Sequence, residues 1–200
     1  MTRLATLLAL AFSFSLAACD VTEVYEVYED DDEVRVVDFS FDRDDYDLSD
    51  DGRVASFESD DVRSSDREAI EAALATAGDG ALVMLYADNA LILDVETTGQ
   101  TYTALPVTKG FEIELGDGTP VVDIVVTYTY AFDNEDLYFD VLSSAALDFD
   151  GFLPGEIDLR LVTVQADVFN AKKAELTAAG KRPLDVRDYA QVAAAFGLDR

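Results

Sequence analysis

The chain has 200 residues, with 42 Asp and Glu against 14 Lys and Arg. Its net charge of −28 excludes nucleic acid as a partner, since phosphate binding needs clustered cations. It contains no histidine, which removes Ser-His-Asp hydrolases, Cys-His nucleophiles and His-ligated zinc or haem sites, and its single cysteine allows no disulfide within the chain.

Met1-Thr2-Arg3 is a short positive start, and Leu4 to Leu16 is an apolar run without charge. That run is shorter than the roughly 20 residues a membrane-spanning helix needs, and it matches the apolar region of a secretory signal. It ends in Leu16-Ala17-Ala18-Cys19. This motif resembles the lipobox of bacterial lipoproteins, a resemblance confined to residues 1–19. It implies removal of residues 1–18 as a signal peptide, thioether lipidation of the Cys19 sulfur and acylation of the new N-terminus. The expected address is the cell envelope, on a bacterial membrane, facing the periplasm or the surface. With Cys19 carrying lipid, no free thiol remains, and stability outside the cytoplasm rests on the core alone.

Residues 19–33 form an acidic stretch without a basic partner, from Asp20 through Glu33, and read as a solvated membrane tether. Val24, Tyr25, Val27 and Tyr28 allow part of it to start a strand instead. Residues 34–200 read as a single β-rich domain with C-terminal helices, and a chain of this size buries most of its unfolded surface.

Val37, Phe39 and Phe41 alternate with Asp38 and Ser40, which predicts a strand with one buried face, and a second strand is predicted over Val54 to Phe57. Ser65-Asp66-Arg67-Glu68 reads as a capping box opening a helix, with Ile70, Ala73, Leu74 and Ala77 on its apolar face and Gly78 at its end. Ala81 to Tyr86 is a continuous apolar run, read as a buried strand. Asp88-Asn89 turns the chain into Leu91 to Val95, and Thr97-Thr98-Gly99-Gln100 turns it again into Tyr102 to Val107. Phe111, Ile113 and Leu115 alternate with Glu112 and Glu114, and Gly116-Asp117-Gly118 reads as a hairpin turn. The longest strand places Ile124, Val126, Tyr128, Tyr130 and Phe132 on one face. Leu137 to Leu142 and Ile157 to Ala166 complete the strands.

Asp167 to Ala179 reads as a helix ending at Gly180. A last helix starts at Asp185, carries Tyr189, Val192, Ala193 and Phe196 at i, i+3, i+4 and i+7, and closes at Gly197. Short strands separated by Gly, Asp and Asn turns predict a mainly β (α+β) fold, an antiparallel β-sandwich-like domain with two or three peripheral helices.

Three of these segments carry a second resemblance: Gly80-Ala81-Leu82-Val83-Met84-Leu85-Tyr86, Tyr102-Thr103-Ala104-Leu105-Pro106-Val107-Thr108 and Arg160-Leu161-Val162-Thr163-Val164. Together they resemble the strand order of a group of uncharacterised β-rich bacterial lipoproteins of unknown function. Tyr102 stands where that group has Trp. The resemblance implies the fold and the anchor, and no chemistry.

The sharpest local motif is Asp47 to Glu58, which is similar to an EF-hand calcium loop. Asp47, Ser49 and Asp51 hold ligand positions 1, 3 and 5, the Arg53 carbonyl holds 7 and Glu58 holds 12, with Gly52 at the bend. Ca²⁺ is therefore the one cofactor the sequence points to. The alternative reading of the same residues is a hairpin in which Asp50-Asp51-Gly52 joins the strands ending at Phe41 and beginning at Val54. Tyr86, Tyr102, Tyr128, Tyr130 and Phe132 either line a ligand cavity or pack across strands.

No catalytic residue is identified. The leading expectation is a non-catalytic structural or interaction module, bound to the membrane through Cys19 and contacting envelope proteins or glycans. A lipoprotein binding a small molecule or glycan in a β cavity is the alternative, and a carboxylate-based hydrolase the third. The acidity fits either a salt-rich habitat, where self-repulsion is screened, or an ordinary acidic secreted domain.

Overall fold

The computed structural model describes residues 33–77, 81–88, 91, 102–114, 121–133 and 136–198. The leader, Cys19 and nearly all of the tether lie outside them, as do the Gly78 helix end, the return strand beyond Leu91, and the turns at 97–100 and 116–118.

Two antiparallel sheets form the domain. The first has four strands in the order β1 (Val34–Asp42), β9 (Glu156–Val164), β4 (Leu82–Asp88) and β5 (Tyr102–Ala104). The second has five, in the order β2 (Asp47–Leu48), β3 (Val54–Glu58), β8 (Leu137–Ser143), β7 (Val121–Phe132) and β6 (Val107–Glu114). The expected antiparallel sandwich-like α+β fold is the one observed.

The two-residue period of each strand sorts side chains between two cores. Val37, Phe39 and Phe41 of β1, Leu159 and Leu161 of β9, and Val83 and Leu85 of β4 point inward against Phe57, Val126, Tyr128 and Phe139 of the second sheet. Phe41 sits at the centre, its ring 5.2 Å from Phe57, 5.6 Å from Phe39 and 6.3 Å from Phe139. The helix α1 (Ser64–Ala77) adds Ile70, Ala73 and Leu74 to this core and packs on β1, β9 and β4.

The outer face of the first sheet is covered as well. Met84, Tyr86, Val162 and Val164 pack there against Tyr189, Val192 and Ala193 of α4 (Tyr189–Phe196), with Val168 and Phe169 of α3 (Ala166–Ala178) beside them. Burial on both faces explains why β4 reads as an unbroken apolar run.

Four expectations are corrected by the structure. The run Tyr102 to Val107 is two strands, because Pro106 offers no N–H to a ladder; β5 stays in the first sheet and β6 begins in the second, across a cis Leu105–Pro106 bond. Ser65 is not an N-cap. The helix starts at Ser64, and the Ser65 hydroxyl donates to Asp66 at 3.1 Å. The last helix begins at Tyr189 rather than Asp185, with the Asp188 carboxylate accepting from the Gln191 N–H. Residues 144–155, given no element by pattern, contain the short helix α2 (Phe149–Phe152), whose Phe149 is buried in the main core.

Candidate functional site

Arg160 stands in the middle of β9, where the register sets Asp38 of β1 on one side and Tyr86 of β4 on the other. Its side chain emerges on the outer face of the first sheet at the edge of the helical layer. There Nε donates to Asp38 Oδ1 at 2.5 Å and Nη2 to Asp38 Oδ2 at 2.6 Å, a bidentate fork, while Nη1 donates to the Tyr189 hydroxyl. The guanidinium also lies over the rings of Tyr102, at 4.4 Å, and Tyr189, at 5.3 Å. Burial disfavours the charge, but the hydrogen bonds and charge of Asp38 outweigh it and hold the guanidinium protonated above its usual range. Burial, followed by the nearby Asp38 charge, pushes the Tyr102 hydroxyl up. The fork is spent on Asp38, so Arg160 acts as a clasp between sheet and helix rather than as an open anion receptor.

Beside this clasp the same face is acidic. Asp158 lies opposite Ser40 in the register, and the Ser40 hydroxyl donates to Glu156 Oε1 at 2.6 Å. Partial burial, then the charges of Glu156, Asp88 and Asp38, raise the Asp158 carboxyl above its ordinary value. Farther along, Asp42, Asp45, Asp61 and Glu156 line a cleft of about 620 Å³ with Ser40 and Arg63. Asp45 is raised there by its partial desolvation and by Asp42, Asp61 and Asp44.

The expected calcium loop takes another form. Asp47 and Leu48 form β2, residues 54–58 form β3, and the two strands pair as a hairpin. The turn satisfies its own polar groups. Ser49 Oγ donates to Asp51 Oδ1 at 2.8 Å and accepts from the Val54 and Arg53 N–H groups, and Asp51 Oδ1 accepts from the Arg53 N–H. The Ser49 hydroxyl, followed by these backbone bonds, lowers the Asp51 carboxyl. The Arg53 carbonyl accepts from the Ser143 N–H of β8 at 2.7 Å. Glu58 lies at the far end of β3, opposite Tyr138 and about 13 Å along the strand from Val54. Asp47, Ser49, Asp51, Arg53 and Glu58 therefore do not converge. Among the described residues no group of three or more acidic, His or Cys side chains is assembled to hold a metal. The hairpin reading holds, with one correction: Asp50-Asp51-Gly52 joins β2 to β3, while β1 pairs with β9 in the other sheet.

The five aromatic positions do not share a cavity. Tyr128 and Tyr130 belong to the inner core of the sandwich, whereas Tyr86 and Tyr102 lie on the outer side of the first sheet and Phe132 is 46% exposed. Tyr130 donates to the Val83 carbonyl at 2.9 Å and Tyr86 to the Val186 carbonyl at 2.8 Å, so both hydroxyls stitch elements together.

Sequence reading passed over Arg160 as a site residue because the chain does not display its register. The available signal was one basic residue, Arg160, between Leu159 and Leu161, and one acidic residue, Asp38, between Val37 and Phe39.

The fold and site define a two-sheet antiparallel sandwich with α1 and α2 packed into its main core and α3 and α4 on the outer face of the first sheet. In comparisons with known proteins no family model matches the chain, and no curated protein or solved structure matches it.

Proposed function

We propose that this chain is a lipid-anchored protein of the bacterial cell envelope whose domain is a non-catalytic structural or interaction module at the membrane surface. The observation that carries this reading is Leu16-Ala17-Ala18-Cys19 at the end of an uncharged apolar run. Two or more acyl chains on the processed cysteine give stable anchoring, where one gives only marginal binding. Within the described residues no helix is long and apolar enough to cross a membrane.

The domain supports a scaffold role by the way its reactive-looking groups are used. Arg160 is committed to Asp38 and Tyr189, and the Tyr86 and Tyr130 hydroxyls donate to backbone carbonyls. No buried side-chain nitrogen or oxygen among the described residues lacks a partner. Envelope proteins or glycans are the partners such a surface-held module meets.

Replacing Cys19 with Ser tests the anchor. The wild-type chain should fractionate with membranes, take up labelled palmitate and need detergent for release, and Cys19→Ser should be soluble and unlabelled. A Cys19→Ser protein that still sediments with membranes would sink the reading. Crosslinking in intact cells then identifies what the module touches.

The acidic cleft favours a second reading, a carboxylate-based hydrolase, because several carboxylates share one recess, where desolvation and then Asp42, Asp61 and Asp44 raise the Asp45 carboxyl above its ordinary value. Release of reducing ends from envelope glycans, abolished by Asp45→Asn, would support it; no turnover on any glycan would remove it.

A further inference from the structure

The charge of this chain is unevenly distributed. Residues 166–200 hold six of the 14 basic residues but only five of the 42 acidic ones, so this stretch carries +1 while residues 1–165 carry −29. Five of the six cations lie in the α3–α4 layer among the described residues, and Lys173, Lys181, Arg182 and Arg187 are exposed there. Lys172 pairs with Glu175 at 2.9 Å, and Lys181 adds to the field that lowers the Glu175 carboxyl. Lys173, Arg182 and Arg187 form no salt bridge among the described residues. Lys172, Lys181 and Arg182 line a groove of about 300 Å³ between α3 and α4. The helix α3 has no fully buried residue, so most of its surface stands outside the fold.

The point where the domain begins lies on the same side. Glu33 and Val34 share a groove of about 600 Å³ with Val168, Ala171, Lys172 and Phe196, and the Glu33 carbonyl accepts from the Gln165 N–H at 2.9 Å. Cys19 is fourteen residues upstream, a reach of at most about 50 Å. Such a length lets any face of the domain turn to the membrane, so charge must choose among them.

We propose that the α3–α4 layer is the face this domain turns toward an anionic membrane, with its Lys and Arg side chains against the lipid headgroups and its second sheet pointing away. The proposal rests on the anchor reading above. A negative lipid surface attracts each nearby Lys or Arg, and the effect fades within a Debye length of about 8 Å at physiological salt. Cations on the outermost layer fall inside that range. The second sheet, another layer of about 10 Å behind, falls outside it. The acidic side chains of residues 20–33 compete for the same cations, so the experiment must distinguish lipid from the chain's own acids.

The full lipidated chain is reconstituted in phosphatidylcholine vesicles or in phosphatidylglycerol vesicles, both with a headgroup-bound quencher. A fluorophore is attached through Lys173→Cys in one sample and through Val125→Cys, on the outer face of the second sheet, in another. Flotation reports anchoring in every sample. The Lys173→Cys label should be quenched roughly threefold more on the anionic vesicles, and the Val125→Cys label equally on both. Raising NaCl to about 1 M should cancel the difference. Combining Lys181→Gln, Arg182→Gln and Arg187→Gln should also cancel it without affecting flotation. Protein that floats but shows equal quenching on the two lipids, as it would if its own acidic segment covered the patch, overturns this proposal and leaves the anchor standing. Protein that fails to float overturns both.

Discussion

Asp38 and Arg160 face each other across the β1–β9 ladder, and both oxygens of the carboxylate are taken by the guanidinium. The remaining arm of that guanidinium holds the Tyr189 hydroxyl at the start of α4. One side chain thus links two strands to the C-terminal helix, at a place where its own exposure is only 19%.

Arg160→Met should therefore cost about 2–4 kcal/mol, because Asp38 is left as an uncompensated half-buried charge and two aromatic rings lose their cation. Arg160→Lys should recover less than half of that loss, since an ammonium keeps the charge but not the fork or the stack. Urea denaturation measures both. A Lys variant as stable as wild type would show that the clasp depends on charge alone.

How far the fold is legible in sequence depends on whether a segment's partner is local. The alternation of Val37, Phe39 and Phe41 and the stripe of Tyr189, Val192 and Ala193 announce a strand and a helix, because each buries one face with its own period. Pairing is another matter. Nothing in the β1 residues says that the partner is β9, more than a hundred residues away, rather than β3, the next long strand. The Arg160 clasp is hidden for the same reason, and the calcium motif misleads for the converse one. Its ligand types stand at the right spacing, but an extended strand from Val54 to Glu58 separates what a loop would gather.

The hairpin makes a direct prediction. Gly52 has φ +67°, and a Cβ there would meet only Ala146 Cβ at an ordinary 3.6 Å, so Gly52→Ala should cost about 1–2 kcal/mol through backbone conformation alone. Because Ser49 and Asp51 already serve the turn, millimolar Ca²⁺ should leave the thermal midpoint of the wild-type protein unchanged. A saturable rise in that midpoint, lost in Glu58→Gln, would restore the calcium reading.

Alkaline stability is set by the tyrosines. Burial raises Tyr128 to about 12, and the hydrogen bond to Asp150, helped by partial burial, raises Tyr46 to about 12, both from an ordinary 10.0. Burial carries Tyr86 higher still. A folded-state value above the unfolded one means that this stability is fully present below pH 10 and is lost as pH rises toward 12. For Tyr128, which is 1% exposed, the amount is on the order of 3 kcal/mol. Absorbance at the phenolate band should change cooperatively, together with loss of structure, and Tyr128→Phe should move that transition to higher pH. Ionisation of all the tyrosines near pH 10 with the fold intact would contradict the assignment.

Self-repulsion gives the last prediction. A net charge of −28 destabilises the compact state, and added salt screens it, so the urea midpoint should rise between about 0.05 M and about 2 M NaCl. Salt also strengthens apolar burial, and Asp158→Asn separates the two effects. Partial burial and the carboxylates of Glu156, Asp88 and Asp38 raise the Asp158 carboxyl, so ionising it near neutral pH works against the fold. Removing that charge should stabilise the protein at low salt by less than about 1 kcal/mol, the exposed side chain being well solvated. The gain should shrink as NaCl rises, whereas a purely apolar salt effect would leave wild type and variant separated by the same amount at every concentration.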